Sequence, residues 1–380
     1  MNILIDGRTW SRNAAGITTF LKCAIMEWSL QCCDNRFYVL LPKGLDSTIE
    51  LPEQPKNVFL LDYSRFFPKR LPNIIILQLL VPYLCRKLHI DLYYSPLPHL
   101  PYCLPSHVRT LITVHDVVNI EMSHTMAWTN RLAVSFFFKS SVKKADYIWA
   151  NSHYTRSKVE EYFPKRKSKK IFVGDAADRS LFYPKGLTTA QKGEIKQKFG
   201  ISAHRFLLFV GTLEPRKNLS FLLSIISDLY LKHGIQLVVV GGRGWKNSSI
   251  KTIVEASDFP QDSTIFCGYI SNEDLVNLYN TADCFVSAAL MEGFGMPQLE
   301  ALMCGCPVIT ADNTAMSEIS KDKDGAMLVP GYDPVVWKEA ILKMLDQKPL
   351  VNPKQLSEYD WELIISQLTQ FLANTQDSQR

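Results

Sequence analysis

The chain has 380 residues, 47% of them hydrophobic, too many for one ordinary core and enough for two α/β domains of roughly 150 to 200 residues each. Its net charge of +5 is unevenly spread: residues 1–180 carry 24 Lys and Arg against 15 Asp and Glu, and residues 181–380 carry 18 against 22. Nine cysteines, an odd number with no Cys-x-x-Cys pair, exclude a disulfide framework and fit buried thiols in a reducing compartment.

In chain order, Met1 to Asp6 reads as a short strand running into Gly7 rather than as a basic and apolar leader. The expected location is therefore the cytoplasm, with peripheral attachment to the cytoplasmic face of the inner membrane as the variant that a basic first half allows. Further strands are expected at Phe37–Leu41, Val58–Leu61, Leu92–Ser95, Thr110–Val114, Tyr147–Ala150 and Ile171–Val173, with helices between them. Leu71 to Ile90 is apolar in its middle, but Pro72, Pro82, Gln78, Arg86 and Lys87 leave too short a run to span a bilayer, so a largely buried helix is expected. Lys165, Arg166, Lys167, Lys169 and Lys170 form a basic cluster, which reads either as a solvated loop or as part of a field that attracts an anionic surface.

Gly174 to Gly200 is polar and interrupted by Pro184, Gly186 and Gly193. It divides a first domain at 1–183 from a linker at 184–200 and a second domain at 201–350. The second series of strands is expected at Phe206–Val210, Leu237–Val240, Thr264–Phe266, Cys284–Ser287, Val308–Thr310 and Met327–Val329. Residues 351–380 should form a helix returning toward the first domain, with a frayed tail from Asn374. Strands alternating with helices throughout imply two parallel, doubly wound sheets, so ligands should sit in loops after strand ends.

Three such loops stand out in the second domain. Gly211-Thr-Leu-Glu-Pro-Arg216-Lys217-Asn218 puts two cations at a helix start, with Asn218 as the expected N-cap. Cations there oppose the helix macrodipole unless an anion lies between them, and a diphosphate would supply one. Gly241-Gly242-Arg243-Gly244-Trp245 contains Gly-x-Gly but not a full dinucleotide fingerprint, and reads as a tight strand-to-helix turn. The third loop runs from Glu292-Gly-Phe294-Gly295-Met296-Pro297 to Glu300 and Gly305. Pro297 fits a helix start and Gly305 a stop, so the helix has about two turns. Leu299, Leu302 and Met303 share its buried face, and Glu300 lies one residue off it, able to face a cleft. Each glutamate also has a plain reading, as a dipole-complementing or solvated acid.

The runs Gly-Thr-Leu-Glu-Pro-Arg-Lys-Asn-Leu, Gly268-Tyr269-Ile270-Ser-Asn-Glu-Asp-Leu with Leu278-Tyr279, and Glu292-Gly-Phe-Gly-Met-Pro-x-x-Glu300-Ala together resemble the donor half of glycosyltransferase family 4. That resemblance implies the GT-B fold, two Rossmann-like domains facing a central cleft, and a metal-independent hexosyltransferase that retains anomeric configuration. It implies that Arg216 and Lys217 hold the donor diphosphate beside Gly211, that Glu300 binds the ribose hydroxyls, and that Tyr269 and Ile270 lie against the base. Glu292 and the backbone of Phe294, Gly295 and Met296 would address the sugar. In the first domain, Gly16-Ile17-Thr18 matches the family's glycine loop, and His115-Asp116 stands where the family has a histidine beside the transferred sugar, with Asp116 toward the acceptor. Departures are Ala288 to Met291 before the glutamate loop, and a segment Asn119 to His124 without the proline often found there.

No resident cofactor or metal is expected, since Asp322-Lys323-Asp324, the only Asp-x-Asp, reads as a turn. Expected partners are a nucleotide-sugar donor and a glycan or lipid-linked glycan acceptor in surface polysaccharide or O-antigen synthesis, with GDP-mannose as the first candidate donor. An anionic membrane surface would suit the basic first half, and no nucleic acid is expected. A nucleotide-sugar epimerase and a catalytically silent subunit of similar fold are the alternatives.

Overall fold

The computed structural model describes residues 1–10, 15–42, 55–63, 73–117, 137–165, 170–242 and 248–377. The chain divides into two compact units, Met1–Ala176 with Tyr359–Arg380, and Ala177–Glu358.

The first unit holds a parallel sheet of seven strands: β1 (Asn2–Asp6), β2 (Arg36–Leu41), β3 (Val58–Asp62), β4 (Leu92–Ser95), β5 (Arg109–Val114), β6 (Tyr147–Ala150) and β7 (Ile171–Val173). Their order is β3-β2-β1-β4-β5-β6-β7, so the winding reverses between β1 and β4, which pair at Ile3–Leu92. The inner strands are short, apolar and largely buried on both faces because helices cover both sides, whereas the edge strand β3 leaves Phe59 exposed. On one face Phe20 and Trp28 of the helix Ala15–Gln31 pack with Trp361, Ile365 and Leu368 of the helix Trp361–Asp377. On the other, Ile76, Leu80, Val81 and Leu84 of the helix Asn73–Lys87 share a core with Phe138 and Val142 of the helix 137–144.

The second unit repeats the plan with β8 (Arg205–Val210), β9 (Ile235–Val240), β10 (Thr264–Gly268), β11 (Cys284–Ser287), β12 (Val308–Ala311) and β13 (Ala326–Val329). The order β10-β9-β8-β11-β12-β13 puts the reversal between β8 and β11, paired at Leu207–Cys284 and Leu208–Phe285. Leu222, Leu223 and Ile226 of the helix Leu219–His233 and Trp337 and Ile341 of the helix Pro334–Gln347 fill one core beneath it.

Every strand expected from the sequence is present, with ends moved by no more than two residues. The stretch 184–200, expected as a linker, contains the helix Thr189–Lys198, opened by a capping box between Thr188 and Gln191. Lys185 donates from its backbone N–H to Asn280 at 2.7 Å and Lys198 pairs with Asp274 at 2.5 Å, tying this stretch to the second unit. Its helix buries none of its side chains and has no apolar stripe, so periodicity could not reveal it. Gly16 lies in the first turn of the helix Ala15–Gln31 rather than in a loop before it. The last helix continues through Asp377, past the expected fraying point at Asn374.

All nine cysteines are free thiols; Cys85, Cys284, Cys304 and Cys306 are buried, whereas Cys33 and Cys103 are exposed. Among the described residues, no helix is long and apolar enough to cross a membrane and no group of three or more His, Cys, Asp and Glu side chains could hold a metal ion. Arg166, Lys167 and Lys169, Arg243 to Trp245, and Asn119 to His124 lie outside the described residues.

Candidate active site

At the reversal of the second sheet, the loop after β8 meets the loop after β11. Arg216 and Lys217 sit in a 3-10 turn, Pro215–Lys217, that precedes the helix Leu219–His233. Asn218 stands at the expected cap position but has φ 53°, left-handed backbone, and its side chain makes no capping bond. That conformation follows from its ending the 3-10 turn, with its N–H bonded to the Pro215 carbonyl.

Arg216 donates through Nη1 to Glu292 Oε2 at 2.9 Å and through Nε to Glu214 Oε2 at 2.8 Å. Lys217 pairs with the other oxygen of Glu292. The two loops are also joined through the backbone, Leu290 N–H to the Arg216 carbonyl at 2.7 Å. Glu292 and Lys217 are each only 8% exposed. Burial pushes the Glu292 carboxyl up, but the Lys217 and Arg216 cations outweigh it and hold it below the ordinary range. The anion between the cations is thus this carboxylate, a partner that sequence spacing left open. Thr314, at φ 51°, accepts from the Glu292 N–H at 3.4 Å.

The helix Met296–Met303 begins at Gly295, whose φ of 105° suits glycine and whose carbonyl accepts from the N–H groups of Gln298 and Leu299. Leu299, Leu302 and Met303 are buried as expected, and so is Phe294. Glu300 is partly buried, and Tyr279, on the helix Asn272–Thr281, donates to its Oε2 at 2.9 Å. Burial raises the Glu300 carboxyl to about 7; the Tyr279 hydrogen bond and the charge of Lys217 pull the other way. Two glutamates eight positions apart therefore have opposite protonation tendencies, one locked as a carboxylate and one poised near neutrality.

Beside them, three glycine turns stack at the ends of β8, β9 and β10. Gly211 N–H bonds to the Val240 carbonyl and Gly241 N–H to the Gly268 carbonyl, both at 2.9 Å. A Cβ on Gly241, at φ 138°, would lie 2.0 Å from the Gly211 carbonyl oxygen. The Tyr269 ring lies over Gly242, where a Cβ would meet it at 1.9 Å, yet Tyr269 is 71% exposed. A cavity of about 880 Å³ opens here, lined mainly by apolar groups such as Leu213, Ile250, Val254, Phe266 and Tyr269 with both glycines. Its size and lining suit a flat heteroaromatic ring. Ile270 follows Tyr269 in the turn before the helix Asn272–Thr281.

In the first unit, His115 follows β5 and shares its Nε2 proton with the Pro96 carbonyl at 3.0 Å, edge-on to Phe20. Because a carbonyl only accepts, Nε2 carries the proton and Nδ1 is the acceptor. Burial lowers this histidine to about 4, so the ring is neutral at pH 7. Asp116 is partly buried beside it. Sequence reasoning passed over a further pair at the end of β1: Arg8 donates to both oxygens of Asp6 at 2.8 Å, and the buried Tyr93 hydroxyl reaches Asp6 Oδ2 at 3.3 Å. Burial raises the Asp6 carboxyl, and Arg8 more than offsets it, leaving it below the ordinary value.

Residues 191–360 match the family model described as glycosyl transferases group 1. This stretch, a little under half of the chain, is similar to that family. It contains the second-unit residues of the site, from Gly211 to Thr314. The chain is 30% identical to O-antigen chain mannosyltransferase B of Escherichia coli over 237 residues, 61% of this chain and 59% of that protein. It spans from 35% to 59% of the length of the mannosyltransferases it matches. Among solved structures, sucrose-phosphate synthase from Thermosynechococcus elongatus superposes with a TM-score of 0.75 at 17% identity, covering 100% of both chains. HepE of Anabaena in complex with UDP-glucose does so with 0.72 at 16% identity, covering 98% of this chain and 100% of that one. The fold is accordingly GT-B, with two Rossmann-like α/β domains.

Within the matched stretch, Tyr279 and Glu214 belong to motifs visible in the sequence, but their partners, Glu300 and Arg216, were not. A Tyr 21 residues before a glutamate carries no periodic signal, because the contact joins two different helices.

Proposed function

We propose that the chain is a retaining, metal-independent glycosyltransferase. It would move a hexose, with mannose from GDP-mannose as the first candidate, to a lipid-linked glycan of a surface polysaccharide or O-antigen. One observation carries this reading: Arg216 and Lys217, brought to the sheet reversal by the loop after β8, are both held by Glu292 from the loop after β11. A doubly wound sheet binds its ligand at that point, and paired cations there suit a diphosphate. The similarity to O-antigen mannosyltransferase B supports the sugar and the pathway class.

In this reading Arg216 and Lys217 take the donor diphosphate and stabilise the charge that builds on it as the bond to the sugar C1 breaks. The acceptor oxygen bonds to C1 on the same face, and its proton passes to the departing diphosphate. Glu300 accepts from the ribose hydroxyls, and the ring of Tyr269 and the Ile270 turn bound the base. Glu292 with Phe294, Gly295 and Met296 addresses the sugar. For the first unit the family resemblance proposes Gly16, Asp116 and His115, the last as a neutral ring at pH 7.

The test is transfer from GDP-, UDP- and dTDP-sugars to lipid-linked glycans with a chelator present, with the anomeric configuration of the product read by NMR. A product with inverted configuration, strict dependence on added metal, or hydrolysis and epimerisation of the donor without transfer would each defeat the proposal.

A further inference from the structure

The apolar cavity beside the stacked glycine turns carries two charged groups on its rim. The helix Ser248–Val254 supplies Ile250 and Val254 to the cavity wall, and these two with Ile253 pack against the core of the second unit. Lys251 and Glu255 line the same cavity. The Glu255 N–H bonds to the Lys251 carbonyl at 2.9 Å, so the last turn of this helix holds both side chains on one face, four positions apart. Packing of the apolar positions fixes the backbone under them, while the two side chains remain 73% and 63% exposed.

The pair is loose. Lys251 Nζ stands 3.7 Å from Glu255 Oε1, beyond hydrogen-bond length, and an exposed pair of this kind adds little to stability. Among the described residues no other charged side chain lines the cavity. A heterocycle seated against Leu213, Phe266 and the Tyr269 ring would rest its faces on apolar surface, and its polar edge would then need partners, because a desolvated donor or acceptor left unpaired is costly. Stacking on Tyr269 accepts any base, since every base has a π-face, so selection among bases falls to the groups that meet the edge.

We infer that Glu255 and Lys251 select guanine as the donor base, Glu255 accepting from the ring N1–H and the 2-amino group and Lys251 donating to O6. This assignment rests on the nucleotide-sugar reading of the second unit and adds to it the pair that chooses among bases. An ionised carboxylate only accepts and an ammonium only donates. Along its pairing edge guanine presents two adjacent donors and then an acceptor, which is the complement of a carboxylate beside an ammonium. Uracil and thymine put a carbonyl on each side of a single N–H, so one oxygen of Glu255 would face a carbonyl oxygen. Adenine offers one amino donor beside a bare ring nitrogen, and half of the carboxylate would oppose a lone pair. A good two-bond match to a base edge discriminates by roughly five- to 150-fold.

The experiment is calorimetric titration of the full chain with GDP, UDP, ADP and inosine diphosphate, the last being GDP without its 2-amino group. The wild type should bind GDP at least about fivefold tighter than any of the other three. Glu255→Gln replaces two acceptors by one acceptor and one donor, so it should erase the advantage of GDP over inosine diphosphate and leave UDP unchanged or tighter. Lys251→Met should weaken GDP and inosine diphosphate alike, since both carry O6. Both side chains are exposed, and unchanged melting temperatures would certify the fold. Nucleotides that bind with GDP no better than UDP, or a preference for GDP that both variants leave in place, overturn the selection by this pair while the donor site stands. Binding of none of the four overturns the donor reading and the base selection with it.

Discussion

Replacing Glu300 with glutamine should stabilise the ligand-free protein, and by an amount that depends on pH. Burial raises this carboxyl from 4.5 to about 7. Below 4.5 both folded and unfolded chains hold the proton, so the residue costs nothing. As pH rises from 4.5 to 7, the unfolded chain releases the proton while the folded one keeps it, and stability is lost across that window. Above about pH 7 the loss is complete. At about 1.4 kcal/mol per pH unit it approaches ~3 kcal/mol, trimmed toward 2 because the side chain still touches solvent. Glutamine keeps the shape and an oxygen to accept from Tyr279 but never charges. The variant should therefore exceed the wild type by under about 1 kcal/mol near pH 5 and by about 2 to 3 kcal/mol near pH 8, or roughly 4 to 12 °C in melting temperature. Thermal unfolding followed by circular dichroism at the two pH values measures this directly. Parallel pH profiles for the two proteins, or a variant less stable at both pH values, would refute the reasoning.

Tyr279→Phe removes the hydroxyl that helps hold the Glu300 carboxyl down. Its nucleotide affinity should rise with pH as in the wild type but with the midpoint displaced upward, as titration calorimetry across pH 6 to 9 would show. Glu292→Gln leaves Arg216 and Lys217 without their shared carboxylate. A nucleoside diphosphate should bind about tenfold tighter, as repulsion of ~3 kcal/mol from a carboxylate about 5 Å from a phosphate charge is removed and partly offset by lost order. The same change should lower stability by roughly 3 kcal/mol, the usual cost of breaking a buried pair. Gly241→Ala places a methyl 2.0 Å from the Gly211 carbonyl oxygen at φ 138°. Its melting temperature should fall by at least about 4 °C, with nucleotide binding weakened because both glycine turns must move.

The strands of both sheets were legible because runs such as Ile235–Val240 and Arg109–Val114 are short, continuous and β-branched, and are bounded by turn residues. The helix Met296–Met303 was legible from Pro297 at its start and Gly305, at φ 79°, beyond its end. The helix Thr189–Lys198 was not, since its signal is a capping box rather than a periodic face. In the site, residue types identified Arg216, Lys217, Glu292 and Glu300, but the pairing did not follow from them. Spacing left the cations awaiting an external anion, whereas folding brings Glu292 to both from a neighbouring strand. Glu300, expected to face a cleft, is bonded to Tyr279 through a contact between two helices that neither segment encodes alone. The amphipathic face of Asn73–Lys87 was half visible: its apolar middle suggested burial, and only packing reveals that Ile75, Leu79 and Tyr83 stay outside.

The most direct measurement is calorimetric binding of GDP-, UDP- and dTDP-linked sugars to the wild type, to Arg216→Ala and to Glu300→Ala. One donor should bind best, Arg216→Ala should weaken it at least about tenfold, and Glu300→Ala should weaken it most above pH 7, where the lost carboxylate would have been charged. If no nucleotide sugar binds, or if both substitutions leave the preferred one unaffected, the second unit does not hold a donor diphosphate and ribose as described.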